Sequence, residues 1–403
     1  MIVKNTPAST SQTVPPARAR VGRASELMLE FAARTGLSSQ RPQQRYLWTD
    51  AFAVCNFLAL LLQTKDEKYL DLALRLVDQV HNVLGRHRED DTRTGWISGL
   101  DDDKGREHPT IGGLRIGKPM NERKPSEPFD ERLEWDRDGQ YYHYLTRWMH
   151  ALNRVSGVTG DVKYNRWAAE LAKIAHFGFT YSPSPGQRKR MHWKMSIDLS
   201  RPLVPSMGHL DPLDGFITYS QLQAVSASDP ERSKATDLGS EIAELALICE
   251  GKNWSTDDPL GIGGLLCDAF KAGQLVISSG LEPAGLPAAM LDASLEGLAY
   301  YAETDPLRLP ADYRLAFREL GLAIGLIAVE KLQGLIRRDP LHAGKLELDF
   351  RVDDIMRYMP LGEDIRTFWL DPANRKAESW KEHGEINMVM LATGLVPDGY
   401  LGI

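Results

Sequence analysis

The stretch from Leu133 to His143 holds three carboxylates, Glu134, Asp136 and Asp138, among aromatic and amide side chains. Two carboxylates can share acid–base work, because one protonates a leaving oxygen while the other activates water or attacks carbon. We take Asp136 or Glu134 as the candidate acid. The alternative is that Asp136 and Asp138 only cap the following helix and complement its dipole.

Two further carboxylates stand at the start of apolar stretches and are candidates for the second member of the pair. Asp50 enters the most apolar stretch of the chain, where desolvation would raise its pKa toward the range of a general acid. Glu385 precedes the last apolar stretch. The alternative for Asp50 is a structural ion pair with Arg45, and the alternative for Glu385 is helix capping.

Aromatic, imidazole and charged side chains near these acids are candidates for holding a substrate. The predicted substrate-binding residues are Arg45, Trp48, Trp135, Asp138, Tyr142, His143, His192, Trp193, His209 and Asp211. Asp211 is equally well explained as a helix cap, because Pro212 after it suits the first helical turn. Metal binding by His192, His209 and Asp211 lacks a tight His-x-x-x-His spacing, so no metal site is predicted.

A polar stripe continues from the acidic stretch at helical spacing. Its members are Asp136, Gln140, His143, Arg147 and His150, and an apolar stripe runs beside it. If this helix is enclosed by others, the polar stripe must line a central cavity or form a buried network.

The elements that position these residues are nearly all predicted to be helices, about twelve from residue 45 onward. The predicted helices run over 45–63, 66–86, 137–156, 161–178, 212–227, 235–250, 259–277, 285–302, 311–335, 350–358, 363–370 and 380–394. The first is apolar nearly all round and must be buried, whereas the second is amphipathic. Repetition of this alternation predicts two concentric rings of helices.

Two sequence echoes support paired helices. Thr64–Tyr69 resembles Thr159–Tyr164 in register, and Asp211-Pro212-Leu213 resembles Asp258-Pro259-Leu260. Residues 88–136 show no helical pattern and predict a long loop insertion that forms a lid or a subsite wall. We expect residues 1–38 to be a loosely ordered arm and 39–403 to be one domain.

This organisation resembles the (α/α)6 toroid of the six-hairpin glycosidase-like superfamily over about residues 40–400. That superfold houses glycosidases, sugar 2-epimerases, unsaturated-uronyl hydrolases and polysaccharide lyases. The resemblance implies an all-α toroid and a glycoside hydrolase whose carboxylate pair cleaves an oligosaccharide stacked on the aromatic residues. A sugar epimerase or lyase that uses His143, His192 or His209 as proton carriers is one alternative. A non-catalytic helical protein that binds a ligand or partner is another.

Composition narrows the protein class further. The 403 residues carry 48 Lys and Arg against 55 Asp and Glu, a net charge of −7, which argues against nucleic-acid binding. The sequence contains no uninterrupted apolar run of about 18 residues, so no membrane span is predicted. Cys55, Cys249 and Cys267 form no disulfide framework, so a reducing, cytoplasmic location is expected. Gly112–Lys118 lacks the spacing of a phosphate loop, and no cofactor is predicted.

Overall fold

Helices supply almost all of the regular structure of this protein. The computed structural model describes residues 16–184, 186–204, 206–226, 236–338 and 348–403. The helices are α1 Ala17–Arg34, α2 Leu47–Thr64, α3 Lys68–Leu84, α4 Asp102–Glu107, α5 Glu131–Glu134, α6 Tyr142–Thr159, α7 Lys163–Phe179, α8 Asp211–Ser226, α9 Gly239–Cys249, α10 Pro259–Ser279, α11 Leu286–Glu303, α12 Ala316–Arg338, α13 Asp349–Met356, α14 Met359–Leu370, α15 Glu378–Glu382, α16 Gly384–Leu395 and α17 Asp398–Leu401.

Six of these helices close into an inner ring in the order α2, α6, α8, α10, α12 and α16, and α16 packs back against α2. The outer partners are α3, α7, α9, α11, the pair α13 and α14, and α1. The predicted (α/α)6 toroid is therefore confirmed. Because inner and outer helices alternate as hairpins, all six inner helices begin at one end of the toroid, which we call the mouth.

Two inner helices, Leu47–Thr64 and Pro259–Ser279, are long and apolar enough to cross a membrane by length and composition alone. In this structure 78% and 72% of their most apolar windows lie buried inside the protein. Their all-round apolar character is what an inner ring requires, since both faces contact other helices.

Part of the loosely ordered arm expected for residues 1–38 is instead an ordered helix. Residues 17–34 form α1, whose Leu27, Met28 and Phe31 side chains are at most 2% exposed. This face packs on α16 and α2, so α1 is the outer helix that completes the sixth hairpin. Charged side chains such as Arg18, Glu26 and Glu30 lie on the exposed side of this amphipathic helix. Residues 1–15 lie outside the described part of the chain.

The first sequence echo encodes the turn between an inner and an outer helix. The Thr64 and Thr159 hydroxyls donate to the carbonyls four residues earlier, at 2.7 and 2.8 Å. Asp66 and Asp161 then accept the backbone N–H two residues later, at 3.1 and 3.0 Å. Identical residues therefore end one helix and start the next in two different hairpins.

The insertion between α3 and α6 contains the short helices α4 and α5, which the sequence analysis did not predict. The strands β1 Gln140–Tyr141, β2 Thr180–Tyr181, β3 Arg190–Met191, β4 Lys194–Met195 and β5 Pro202–Val204 form two small antiparallel sheets, β1-β4-β5 and β2-β3. Arg93 pairs with Asp91, Glu122 and Asp198 at 2.8, 2.6 and 2.9 Å and ties the insertion to the segment after β4. Since β1 is extended, α6 begins at Tyr142 and not at the predicted residue 137.

Candidate active site

Two inner helices bring an imidazole and a carboxyl together at the mouth. His143 lies in the first turn of α6, whose start is set by the pairing of β1 with β4, and Asp211 is the first residue of α8. The distance from His143 Nδ1 to Asp211 Oδ1 is 3.6 Å. The His143 side chain is 30% exposed although its Nδ1 atom is buried, and the Asp211 side chain is 7% exposed.

The surroundings of this pair reverse the usual protonation of a carboxyl and an imidazole. Burial, together with the nearby Asp214 carboxylate, raises the pKa of Asp211 to about 8. Burial and the Arg147 guanidinium lower the pKa of His143 to about 4. At neutral pH the site therefore holds a protonated carboxyl beside a neutral imidazole, which is an acid beside a base.

Each of these two side chains keeps a polar atom that makes no structural hydrogen bond in the described part of the chain. Within the described residues, His143 Nδ1 and Asp211 Oδ2 have no hydrogen-bond partner. Asp258, which occupies the equivalent position in the second sequence echo, behaves differently. Its carboxylate accepts the backbone N–H of Gly261 at 3.1 Å and pairs with Arg318 at 2.7 Å. Asp258 is thus a helix cap, and its counterpart Asp211 is an unengaged acid.

A charged network lies beneath the pair. Arg147 of α6 pairs with Asp214 of α8 at 2.6 Å, and Thr146 donates to the other oxygen of the same carboxylate. Further along α6, His150 bonds to Gln221 of α8 at 3.0 Å. Of the predicted polar stripe, Arg147 and His150 therefore form a buried network between α6 and α8, whereas Asp136 and Gln140 precede α6 and do not belong to it.

Two members of this charged group were missed by the sequence analysis, Asp268 and Lys271 of α10. Both are at most 4% exposed. Burial and Asp214 raise the pKa of Asp268 to about 7, while burial and Arg147 lower the pKa of Lys271. The available signal was two charged residues three positions apart inside an otherwise apolar helix.

An aromatic wall adjoins the acid–base pair. The ring of Trp193 lies nearly parallel to that of His143, with centroids 6.4 Å apart. Trp135 meets Trp193 edge to face at 5.4 Å and is 50% exposed, and Tyr141 lies 5.2 Å from Trp193. The structure thus brings together four of the predicted binding residues, His143, Trp135, Trp193 and Asp211.

The four predicted catalytic carboxylates are not assembled into one facing pair. Glu134 is buried in ion pairs with Arg123 at 2.6 Å and Lys194 at 3.3 Å, so it is a structural counter-ion. Asp136 is exposed at the surface. Glu385 pairs with Arg34 of the outer helix α1 at 2.9 Å.

The fourth, Asp50, serves its own helix. Its carboxylate accepts the backbone N–H of Tyr46 at 3.0 Å and lies 3.6 Å from Arg45. Burial raises the pKa of Asp50 to about 6. Arg45 in turn donates to the carbonyl of Thr35 at 2.6 Å, so this predicted binding residue ties α2 to the segment after α1.

Three other predicted binding residues are also structural. Trp48 is 7% exposed and packs on Phe52, and Tyr142 is wholly buried against Phe179. Asp138 is wholly buried and anchors the insertion, since it pairs with Arg115 at 2.9 Å and Arg88 at 3.3 Å.

The two remaining predicted histidines point elsewhere. His192 stacks on Tyr181 at 4.1 Å, and His209 is exposed with its ring 6.2 Å from Trp254. Among the described residues, no group of three or more His, Cys, Asp or Glu side chains is arranged to hold a metal ion.

The closed double ring of helices is an (α/α)6 toroid fold. Among solved structures, it is similar to a sugar epimerase from a ruminal bacterium, with 9% identity and a TM-score of 0.50 over 94% of this chain and 98% of that one. It is also similar to a GH76 alpha-mannanase from Bacteroides thetaiotaomicron, with 9% identity and a TM-score of 0.50 over 95% and 99%. A cellobiose 2-epimerase from Spirochaeta thermophila aligns with 12% identity and a TM-score of 0.47 over 93% and 98%. No protein-family model and no curated protein matches the sequence.

Proposed function

We propose that this protein is a carbohydrate-active enzyme that moves protons on a sugar, as an isomerase or epimerase does. The observation that carries the proposal is the unengaged acid–base pair of Asp211 and His143 at the mouth. Trp193 and Trp135 support a sugar substrate, because flat aromatic faces suit the apolar faces of sugar rings. The two similar folds at a TM-score of 0.50, one a sugar epimerase and one a mannanase, agree with this substrate class.

The short distance within the pair favours proton transfer between neighbouring substrate atoms. In glycosidases the two carboxyl groups lie about 5–5.5 Å or 6.5–9.5 Å apart, because they flank a bond or a water molecule. Here the acid and base atoms are 3.6 Å apart. In an open-chain sugar, His143 would take the proton from the carbon beside the carbonyl while Asp211 protonates the carbonyl oxygen. The resulting enediol gives an isomer when the proton returns to the neighbouring carbon.

Glycoside hydrolysis is the second candidate, and one observation favours it. Asp211 and Asp268, on adjacent inner helices, both have pKa values raised into the neutral range, about 8 and about 7. A carboxyl that stays protonated near neutral pH can protonate a glycosidic oxygen. Asp268 would then be the second carboxylate, in place of the four that the sequence suggested. In neither candidate does the reaction call for a cofactor, and the cytoplasmic location stays a prediction.

The test is to incubate the protein in D2O with a panel of aldoses, ketoses and disaccharides and to follow proton NMR and product masses. Isomerisation or epimerisation predicts deuterium at the carbon beside the carbonyl and a new isomer. Hydrolysis predicts new reducing ends without deuterium at carbon. His143→Gln and Asp211→Asn should abolish the first activity, while His209→Gln, an exposed histidine two residues from Asp211, should leave it unchanged. Turnover of no sugar in the panel would count against the whole proposal.

A further inference from the structure

A cleft lies at the end of the toroid opposite the mouth. Its volume is about 870 Å³, within the range typical of small-molecule sites. The C-terminal parts of four inner helices line it, through Gln63 of α2, Gln274 of α10, Lys331 of α12 and Leu395 of α16. The proposed reaction at His143 and Asp211 makes no use of this cleft.

One side chain in the cleft is difficult to explain as a structural element. Arg366 of α14 lines the cleft and is only 8% exposed. Its Nε is buried without a hydrogen-bond partner among the described residues, and burial lowers the pKa of its guanidinium. The carboxylates of Glu363 and Glu330 also line the cleft and act on Arg366 through space, but neither forms an ion pair with it in the described structure. A buried guanidinium without a bound counter-ion is costly.

A second buried arginine shows how this chain neutralises such a charge when the role is structural. Arg314, 3% exposed, binds Glu319 through two nitrogens, at 2.9 and 2.7 Å. Arg366 is 8% exposed and has no such partner among the described residues. The difference indicates that the counter-ion of Arg366 comes from outside the described residues.

The other walls of the cleft suit an organic molecule. Phe270, Ile327, Met356 and Met359 contribute apolar surface. Lys331 also lines the cleft, and it is already neutralised by Asp398 of α17 at 2.5 Å. Among the described residues that line the cleft, Arg366 is therefore a buried cation left for a ligand, and both apolar and charged side chains border the approach to it.

We propose that this cleft binds a small organic anion, with its oxyanion on the Arg366 guanidinium and its body on the apolar walls. Guanidinium groups bind carboxylates and phosphates alike through paired N–H donors. The ligand is therefore either a carboxylic acid or a phosphate monoester of about the size that 870 Å³ accommodates.

Calorimetric titration of the full chain with hexanoate, hexyl phosphate, inorganic phosphate and hexanol tests the proposal. We expect hexanoate or hexyl phosphate to bind at least 10-fold more tightly than hexanol. The anion that binds more tightly shows whether the site prefers a carboxylate or a phosphate. Arg366→Gln should weaken that binding at least 10-fold, while Arg337→Gln should not, because Arg337 is an exposed residue of α12 that does not line the cleft. Equal binding of hexanol and the anions, or no binding of any probe, would overturn the proposal.

A second variant keeps the test valid if Arg366→Gln does not fold. Gly334 lines the cleft, and a Cβ built on it meets no atom within 4 Å, so Gly334→Leu is expected to place a side chain in the cleft and reduce the space for a ligand. Gly157 of α6 has the same open surroundings outside the cleft, and Gly157→Leu is its matched control. Loss of anion binding in Gly334→Leu alone supports the site, and unchanged binding in both contradicts it.

Discussion

The carboxyl of Asp211 folds back over the backbone of Gly208. A Cβ built on Gly208 would lie only 2.2 Å from Asp211 Oδ2, so no other residue fits there without moving that oxygen. The glycine therefore leaves the space in which the proposed acid stands beside His143. We expect Gly208 to position the acid without contacting the substrate.

We expect Gly208→Ala to lower kcat about 10- to 100-fold, since a misplacement of about 1 Å in a catalytic group has effects of this size. The fold should be retained, because the Asp211 side chain can rotate away. Gly157→Ala, where a Cβ meets open space, is the control. Wild-type kcat in Gly208→Ala, with Asp211→Asn inactive, would show that the position of the carboxyl is not critical.

The pH dependence of the proposed reaction follows from the two shifted pKa values. Activity needs neutral His143, which is present above about pH 4, and protonated Asp211, which is present below about pH 8. The profile of kcat/KM should therefore rise through about 4, stay flat and fall through about 8. An activity that rises through pH 8 would mean that Asp211 acts as the carboxylate and that the assignment of acid and base is reversed.

The raised pKa values of Asp211 and Asp268 also make stability fall as pH rises. Each is raised from 3.8, to about 8 and about 7, so the unfolded chain loses these protons first and is favoured as pH increases from about 4. Asp211→Asn and Asp268→Asn should therefore stabilise the protein by about 2 kcal/mol or more at pH 7.5 and have little effect at pH 4. Urea unfolding at both pH values measures this.

Asp258→Ala is the opposite control for that experiment, because Asp258 caps α10 and pairs with Arg318. It should destabilise the protein by about 1 kcal/mol at pH 7.5. If Asp211→Asn destabilised the protein in the same way, Asp211 would be a structural residue like its counterpart in the sequence echo.

The aromatic wall is expected to hold the substrate more than to activate it. Trp193→Ala should raise KM about 10-fold with a smaller effect on kcat, because it removes a stacking surface and leaves the acid–base pair in place. Trp167→Ala, on the outer helix α7, should leave both constants unchanged. A loss confined to kcat would instead mean that Trp193 orients His143, whose ring it faces at 6.4 Å.

The sequence predicted the toroid well because its signal is local. Apolar periodicity and paired turn residues such as Thr64 and Asp66 specify each hairpin within about 40 residues, and the alternation of all-round apolar with amphipathic helices indicates an inner and an outer ring. The same local reasoning failed for Glu134. Its partner Arg123 lies 11 residues earlier in the irregular insertion and its partner Lys194 lies 60 residues later, so helical spacing did not reveal either ion pair.

The candidate site was only partly predictable for a related reason. His143 and Asp211 were each identified from helix starts, but their contact depends on how α6 packs against α8, which sequence spacing does not reveal. Asp268 belongs to a third helix, and its raised pKa arises from burial and from Asp214 rather than from its neighbours in sequence.

The role of α1 as the sixth outer helix gives a final test of the architecture. Phe31 is wholly buried in the core, whereas Leu29 on the same helix is 39% exposed. Phe31→Ala should cost about 3–5 kcal/mol of unfolding free energy, and Leu29→Ala should cost less than about 1 kcal/mol. Denaturant unfolding followed by circular dichroism measures both. If Phe31→Ala lowers the unfolding free energy and the whole chain still unfolds in one transition, α1 is part of the toroid. A separate early transition of small amplitude would mean that α1 docks as an independent segment.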